Sequence, residues 1–180
     1  DETVTSNGAT IAELEEAIPE ELQSQPQWIC WRSETRDDGD TTKRPINPQT
    51  GRFAKVNDES TWESFAETVS YAAGTDGVDG VGFVFTEDDP YVGLDLDKCR
   101  VPEDGEMDDW AFDVLGELTS FTEISPSGTG YHVIVKGEIP GDRSRKDGLE
   151  MYDSRRFFTM SGNRVEQLPE TIAEAQDALR

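Results

Sequence analysis

The chain has 180 residues, and its 39 acidic against 16 basic side chains give a formal net charge of −23. An aromatic content of 9% excludes a disordered acidic tail, and two isolated cysteines exclude a small disulfide scaffold. No apolar run approaches the roughly 18 residues of a membrane-spanning helix, and the first ten residues lack the basic and apolar regions of a signal peptide. We therefore expect a cytoplasmic protein that has no contact with a membrane.

The acidic residues are spread along the whole chain, whereas lysine is scarce, with five residues against eleven arginines. Such an even acidic coat predicts adaptation to high salt, where ions screen the self-repulsion. The alternative is a domain that avoids nucleic acid or carries a basic partner. The charge does not exclude DNA as a partner, because a local basic groove can persist inside an acidic coat.

The first half of the chain alternates helix and strand patterns. We expect disorder over residues 1–9 and a single domain over 10–180. Helices are predicted from Thr10 to Pro19, over 60–74 with Ser60 as the cap, and over 107–118. Strands are predicted over 28–34, 78–85 and 91–97, with a loop or short hairpin over 43–55.

The second half is mostly strand. Strands are predicted over 121–127, 131–137, 149–153 and 156–162, and a closing helix over 169–180. The order predicts an α+β fold with a mixed, largely antiparallel sheet flanked by helices. Because the sequence ends inside a predicted helix, we expect it to be part of a longer protein.

Asp95 and Asp97 lie two residues apart on a predicted strand, so both carboxylates project from one face of it. Two adjacent carboxylates repel each other unless a cation lies between them. The pair therefore suits Mg²⁺ or Mn²⁺, which favour oxygen ligands and often complete their shells with phosphate oxygens. The alternative is a solvent-facing pair on an edge strand of an acidic protein.

His132 is the only histidine of the chain, and the turn before it is rich in serine and glycine. Ser127, Gly128 and their neighbours offer hydroxyl and backbone N–H groups that could hold an anion such as a phosphate. The alternative is a hairpin turn followed by a buried, hydrogen-bonded histidine.

Glu150 is a third candidate acid, on the predicted strand 149–153. Around it lie five of the sixteen basic residues within fourteen positions: Arg143, Arg145, Lys146, Arg155 and Arg156. Such a concentration suits contacts to a triphosphate or a nucleic-acid backbone, and a salt-bridged structural cluster is the alternative. Lys43 and Arg44 form a second small basic site, which is either a binding site or a solvated loop.

The order YVGLDLD, SPSGTGYH and LEMYDSRRFFTMSG resembles the archaeo-eukaryotic primase superfamily, and most closely the primase–polymerase domains of phage and plasmid replication proteins. The segments WICWR, KRPINPQTG, STWESF, GVGFVF and RFFTMSG extend the resemblance over roughly residues 20–165. It implies an RRM-like catalytic core that follows an N-terminal α/β unit. It also implies a DNA polymerase with primase activity that uses nucleoside triphosphates and a single-stranded or primed DNA template.

The resemblance also implies roles for single residues. Asp95, Asp97 and Glu150 would hold Mg²⁺ or Mn²⁺. Asp153 is an alternative third acid, but alternation along the strand predicts that its side chain lies on the face opposite that of Glu150. His132 would contact the phosphates of the incoming nucleotide beside Ser127 and Gly128. Lys43, Arg44 and Lys146 would contact the triphosphate or the template.

Two features depart from parts of that family. The chain has no Cys/His set for zinc, so primer extension is expected more firmly than de novo primer synthesis. It also lacks a phosphate-binding helicase motif, so a helicase would be a further domain or a separate protein. A non-catalytic DNA- or nucleotide-binding replication module of the same fold is the alternative function. A glycosyltransferase is a remote third, because the serine-glycine turn and Glu150 would be unexplained.

Overall fold

The computed structural model describes residues 3–5, 8–139, 145–146 and 148–179, and of residues 145, 146 and 177 only the backbone. The chain divides into two compact units, residues 1–84 with 157–162, and residues 85–156 with 163–180. The expectation of a single domain over residues 10–180 stays a prediction.

The described elements follow one another along the chain as helices interspersed with strands. The helices are α1 (Ile11–Ala17), α2 (Glu20–Gln23), a 3₁₀ turn (Glu59–Thr61), α3 (Phe65–Gly74), α4 (Asp109–Leu118) and α5 (Gln176–Leu179). The strands are β1 (Trp28–Thr35), β2 (Thr41–Ile46), β3 (Gly80–Phe85), β4 (Tyr91–Leu96), β5 (Thr122–Ile124), β6 (Tyr131–Lys136), β7 (Arg145–Lys146), β8 (Leu149–Tyr152) and β9 (Arg156–Met160).

The sheet of the first unit has the order β2-β1-β3-β9, with β1 antiparallel to both β2 and β3. Its core is built around Trp28, whose ring meets Phe65 of α3 and Phe83 of β3 edge-on at centroid distances of 4.9 and 5.4 Å. All residues of β3 are buried, as expected for a strand whose apolar side chains alternate towards two covered faces.

Thr10 is the N-cap of α1 and forms a capping box with Glu13, in which the side chain of each residue accepts the backbone N–H of the other. The predicted cap of the next long helix was wrong. Ser60 lies in the 3₁₀ turn, and α3 begins after Ser64, whose hydroxyl accepts the N–H of Glu67 at 3.2 Å. Both serines are followed by glutamate three residues later, so the motif alone did not choose between them.

The prediction of a loop or short hairpin over 43–55 is confirmed as a hairpin: residues 43–46 belong to β2, and the N–H groups of Asn47 and Ala54 donate to the carbonyls of Arg52 and Pro45 at 2.7 and 2.9 Å. Pro45 has no N–H to donate, but β2 lies at the edge of its sheet, where proline is tolerated. The chain then turns, and a single bridge pairs Ile46 with Phe53.

Val4 lies within the stretch predicted to be disordered, yet its side chain is buried and its N–H donates to the carbonyl of Ala9 at 2.7 Å. The disorder of residues 1–9 stays a prediction.

The second unit has an antiparallel sheet of order β5-β6-β4-β8-β7. One of its faces carries alternating apolar side chains, among them Leu94, Leu96 and Val133, which share a core with Ala111 and Leu115 of α4. The side chains of Asp95, His132 and Glu150 belong to the opposite face, because neighbouring residues of a strand alternate.

The predicted closing helix was wrong for most of its length, since α5 covers only residues 176–179. Before it the chain runs alongside β6: Lys136 donates to the carbonyl of Ala173, and Ala175 donates to that of Lys136. Hydrogen bonds to a neighbouring strand thus replace those of the helix that the amphipathic pattern predicts. The predicted α+β class with largely antiparallel pairing is confirmed, although the strands form two sheets.

Candidate functional site

Asp95 lies on β4, the central strand of the second sheet, directly between His132 of β6 and Glu150 of β8. Residues opposite each other in neighbouring antiparallel strands have β-carbons about 5 Å apart. The Nε2 atom of His132 lies 3.6 Å from Oδ1 of Asp95. Three of the predicted site residues, from three separate segments, therefore share one face of one sheet.

Asp97 follows directly after the end of β4. Its N–H donates to the carbonyl of Gly148 at 2.7 Å, and its Oδ1 accepts the N–H of Lys98 at 2.9 Å. Lys98 has a positive φ of 54°, so the chain turns away from the sheet immediately after Asp97. The second acid of the D-x-D pair thus lies where the strand becomes a loop.

The serine-glycine turn before His132 is held by its own hydrogen bonds. The N–H groups of Gly128, Thr129 and Gly130 donate to the Ser125 carbonyl, the Ser127 hydroxyl and the Ser125 hydroxyl, at 2.9, 3.3 and 3.1 Å. The Ser127 hydroxyl also lies 2.7 Å from that of Thr129. Since these backbone donors are used within the turn, the exposed hydroxyls are the groups that can meet a ligand.

This turn is also fastened to the segment after Asp97. The N–H groups of Cys99 and Arg100 both donate to the carbonyl of Thr129 at 2.9 Å, and the Arg100 guanidinium donates to the carbonyl of Gly128 at 2.9 Å. Arg100 was not predicted, because nothing in the sequence distinguishes it from a surface arginine. The contacts keep Ser127 and Gly128 next to the end of β4.

Glu150 is held by a neighbour that sequence analysis also missed. Tyr152, two residues along the same face of β8, donates its hydroxyl to the Glu150 carboxylate. Arg156 donates to the Tyr152 oxygen at 2.9 Å, and its guanidinium lies 4.3 Å from the ring centroid. Burial, followed by the hydrogen bond to Glu150, raises the pKa of Tyr152, although Arg156 opposes the shift. The phenol therefore remains a donor at neutral pH. Asp153 lies beyond β8 and is exposed.

Glu123 is a further acidic residue that sequence analysis did not single out. It lies on β5 directly opposite His132, and only 2% of it is exposed. If the predicted strands 121–127 and 131–137 are paired as a hairpin through the turn between them, Glu123 is expected to lie beside His132. A row of Glu123, His132, Asp95 and Glu150 thus runs across four neighbouring strands.

Cys99 lies buried next to the D-x-D pair. Burial, and then the charges of Asp108, Asp97 and Asp95, raise the pKa of its thiol to about 11. The thiol is therefore protonated at neutral pH and is no candidate for a nucleophile.

The carboxylates fit a hard divalent cation by chemistry, because Asp95 and Glu150 offer oxygen ligands on one face and Asp97 follows at the strand end. Within residues 3–5, 8–139, 145–146 and 148–179, however, no group of three or more His, Cys, Asp or Glu side chains is placed so that it could hold a metal ion. The metal-binding role of these residues stays a prediction.

The predicted basic contacts lie apart in the chain. Lys43 and Arg44 are on β2 of the first unit. Lys146 pairs through its backbone with Leu149 in the second unit, and its side chain lies outside the described residues. Arg143 lies outside them altogether. The nucleotide-binding role of these residues stays a prediction.

Among the helices that the structure describes, none is long and apolar enough to cross a membrane.

The chain is similar to a protein named DNA Primase-polymerase from Nitratiruptor phage NrS-1. The two are 40% identical over 151 residues, which cover 78% of this chain and 20% of the phage protein. The chain thus spans about a fifth of the length of this curated relative. No family model matches the chain.

Proposed function

We propose that this chain catalyses metal-dependent nucleotidyl transfer as a DNA-templated DNA polymerase with primase activity in replication. The observation that carries the proposal is the position of Asp95, in register between His132 and Glu150 on one face of a sheet. The name of the phage relative, DNA Primase-polymerase, supports the same activity. The catalytic core would be RRM-like, following an N-terminal α/β unit.

Asp95, Asp97 and Glu150 would hold Mg²⁺ or Mn²⁺. When bound, these ions would supply the positive charge that activates a 3′-hydroxyl and stabilises its in-line attack on the α-phosphorus, from which pyrophosphate leaves. The chain's part is to hold the three carboxylates in place. Tyr152 and Arg156 contribute to this by orienting the carboxylate of Glu150.

His132 and the serine-glycine turn would bind the triphosphate of the incoming nucleotide. His132 lies beside Asp95 on the face of the carboxylates, and the hydroxyls of Ser127 and Thr129 are exposed at the end of the neighbouring turn. One of the two hydroxyls can donate a hydrogen bond to a phosphate oxygen without a rearrangement of the turn, while the proton of the other stays in the Ser127–Thr129 hydrogen bond. A nucleotide bound there would have its phosphates next to the carboxylates.

The proposal extends to the partners of the protein and to its location in the cell. The partners would be a single-stranded or primed DNA template, nucleoside triphosphates, and a helicase domain or protein. The location would be the cytoplasm, of an organism that lives at high salt, since the chain carries a net charge of −23.

The alternative is a replication module of the same fold that binds DNA or nucleotide without catalysis. The observation in its favour is that the described side chains form no group of three that could hold a metal ion. The two functions differ in one measurable property, the incorporation of nucleotides.

The test is a template-dependent incorporation assay in high KCl with Mg²⁺ or Mn²⁺, comparing primed with unprimed single-stranded DNA. The wild type is compared with Asp95→Asn and with Asp113→Asn, which removes the same charge from an exposed position of α4. We expect Asp95→Asn to abolish incorporation and Asp113→Asn to retain it. Far-UV circular dichroism establishes that each variant is folded.

Product on the unprimed template would add de novo priming to extension. Equal incorporation by the wild type and Asp95→Asn would reject the proposed site. A folded wild type that binds DNA but incorporates nothing with either metal would favour the binding module.

A further inference from the structure

The positive charge of the first unit is concentrated in one segment. Residues 1–84 contain six basic side chains, and all of them lie between positions 32 and 55: Arg32, Arg36, Lys43, Arg44, Arg52 and Lys55. From position 41 to 57 there are four basic residues and no acidic one. In a chain of net charge −23, β2 and the turn after it thus form a local basic surface, whereas the turn between β1 and β2 sets Asp37, Asp38 and Asp40 beside Arg36.

An exposed aromatic ring lies within this surface. Phe53 is 49% exposed, and the guanidinium groups of Arg44 and Arg32 lie 4.1 and 5.4 Å from its ring centroid. Both distances fall within the range of a cation–π contact. We call this group of Arg32, Arg44 and Phe53 the Arg–Phe–Arg cluster.

The positions of the two arginines in the Arg–Phe–Arg cluster lower the stability of the sheet. Arg32 and Arg44 lie directly opposite each other on β1 and β2, and like charges in that position destabilise a sheet. Glu34 contacts Arg32 at 2.7 Å and Arg44 at 3.7 Å, so one carboxylate faces two guanidinium groups. A net positive charge therefore remains beside an exposed ring.

We propose that the Arg–Phe–Arg cluster is a binding surface for single-stranded DNA. Proteins that hold single strands combine basic side chains, which contact phosphates, with aromatic and arginine groups, on which bases stack. Phe53 and the two guanidinium planes provide the stacking surface, and Lys43, Arg52 and Lys55 add positive charge from the same segment. The choice of DNA among polyanions rests on the proposed function.

An acidic protein is the other partner that positive charge could attract. Such a partner has no need of an exposed ring between two arginines, whereas a DNA base has a flat face to place there. The two partners therefore differ in their dependence on Phe53.

The experiment measures the dissociation constant of a fluorescently labelled single-stranded oligonucleotide by anisotropy at several KCl concentrations. Phe53→Ala is compared with Phe112→Ala, which removes a ring that is 66% exposed on α4. Arg44→Gln is compared with Arg36→Gln, which removes the same charge from the exposed turn after β1. Phe53→Trp keeps a ring that can stack, and its fluorescence reports contact with bases.

Loss of one stacked base weakens binding by between about 5-fold and about 150-fold. We expect Phe53→Ala to show a loss in this range, with Phe112→Ala at the wild-type value. Arg44→Gln should lower the slope of log Kd against log[KCl] by about 0.7, the value for one phosphate contact of a single strand. Phe53→Trp should bind like the wild type and lose fluorescence on addition of DNA.

Several results would overturn the inference: no binding by the wild type, equal loss in Phe53→Ala and Phe112→Ala, or equally effective competition by polyglutamate. Binding is also measured with Asp95→Asn. If that variant binds normally and no protein incorporates nucleotides, the inference stands and the proposed polymerase activity fails. If incorporation is normal while Phe53→Ala binds like the wild type, only the inference fails.

Discussion

Replacing Gly130 by alanine would force the serine-glycine turn away from the D-x-D pair. A β-carbon at position 130 would lie 3.0 Å from the carbonyl carbon of Leu96, nearer still to its oxygen, and 3.1 Å from the α-carbon of Asp97. These are backbone atoms, which cannot rotate aside as a side chain can. The turn or the end of β4 must therefore move.

The expected cost follows from this geometry. Overpacking costs typically about 1–3 kcal/mol, and we expect about 3 kcal/mol because the contact is with backbone. For a chain of this size such a loss lowers the Tm by about 6–12 °C. If the turn shifts by about 1 Å relative to Asp97, the polymerase activity proposed above should fall about 100-fold. Urea denaturation and the incorporation assay measure the two effects.

Gly116→Ala is the matched control, because apart from its neighbours in the chain and the backbone of α4 no atom lies within 4 Å of a β-carbon at this position. Alanine in a helix interior is favoured over glycine by about 0.5–1 kcal/mol, so this variant should gain stability and keep its activity. If Gly130→Ala had the same stability and activity as the wild type, the close contact of the turn with Leu96 would be refuted.

Three further predictions concern the same molecule. Tyr152→Phe removes the hydroxyl that donates a hydrogen bond to the Glu150 carboxylate. This variant should lower kcat at least several-fold with little change in Tm, and an unchanged kcat would contradict the positioning of Glu150 by Tyr152. Burial raises the pKa of Cys30 from its ordinary value of 9.0 to about 12. The folded state thus keeps a proton that the unfolded state loses, so this thiol contributes no pH dependence below pH 9 and a loss of about 1.4 kcal/mol of stability per pH unit between pH 9 and about 12, in addition to the loss that Cys99 contributes up to about pH 11. Urea denaturation of wild type and Cys30→Ala tests this, and equal slopes in both would contradict it. Because of the net charge of −23, far-UV circular dichroism should be lost on desalting and restored by KCl; a full signal in dilute buffer would count against adaptation to high salt.

The strands with strong alternation were predicted well from sequence. Asp95, His132 and Glu150 were placed on strands that the structure confirms as β4, β6 and β8. Period-two alternation also assigned each of them correctly to the face opposite the apolar side chains. These properties depend only on residues close in sequence, so a local pattern is enough to predict them.

The boundaries of the helices depended on contacts that a local pattern does not contain. Ser60 and Ser64 carry the same capping signal. The helix begins only after Ser64, because the backbone of Glu63 is hydrogen-bonded to that of Trp28 in β1. Likewise the segment before α5 has a helical pattern, but hydrogen bonds to Lys136 keep it extended.

The sequence by itself determined which residue types the candidate site uses and on which strand face each lies, because alternation along a strand is a local property. Only the tertiary structure decided that β4 lies between β6 and β8, and so that Asp95 meets His132 on one side and Glu150 on the other. It also revealed the buried Glu123, the bond from Tyr152 to Glu150 and the arginines around Phe53. Strand order and register depend on pairing between distant segments, which no single segment encodes.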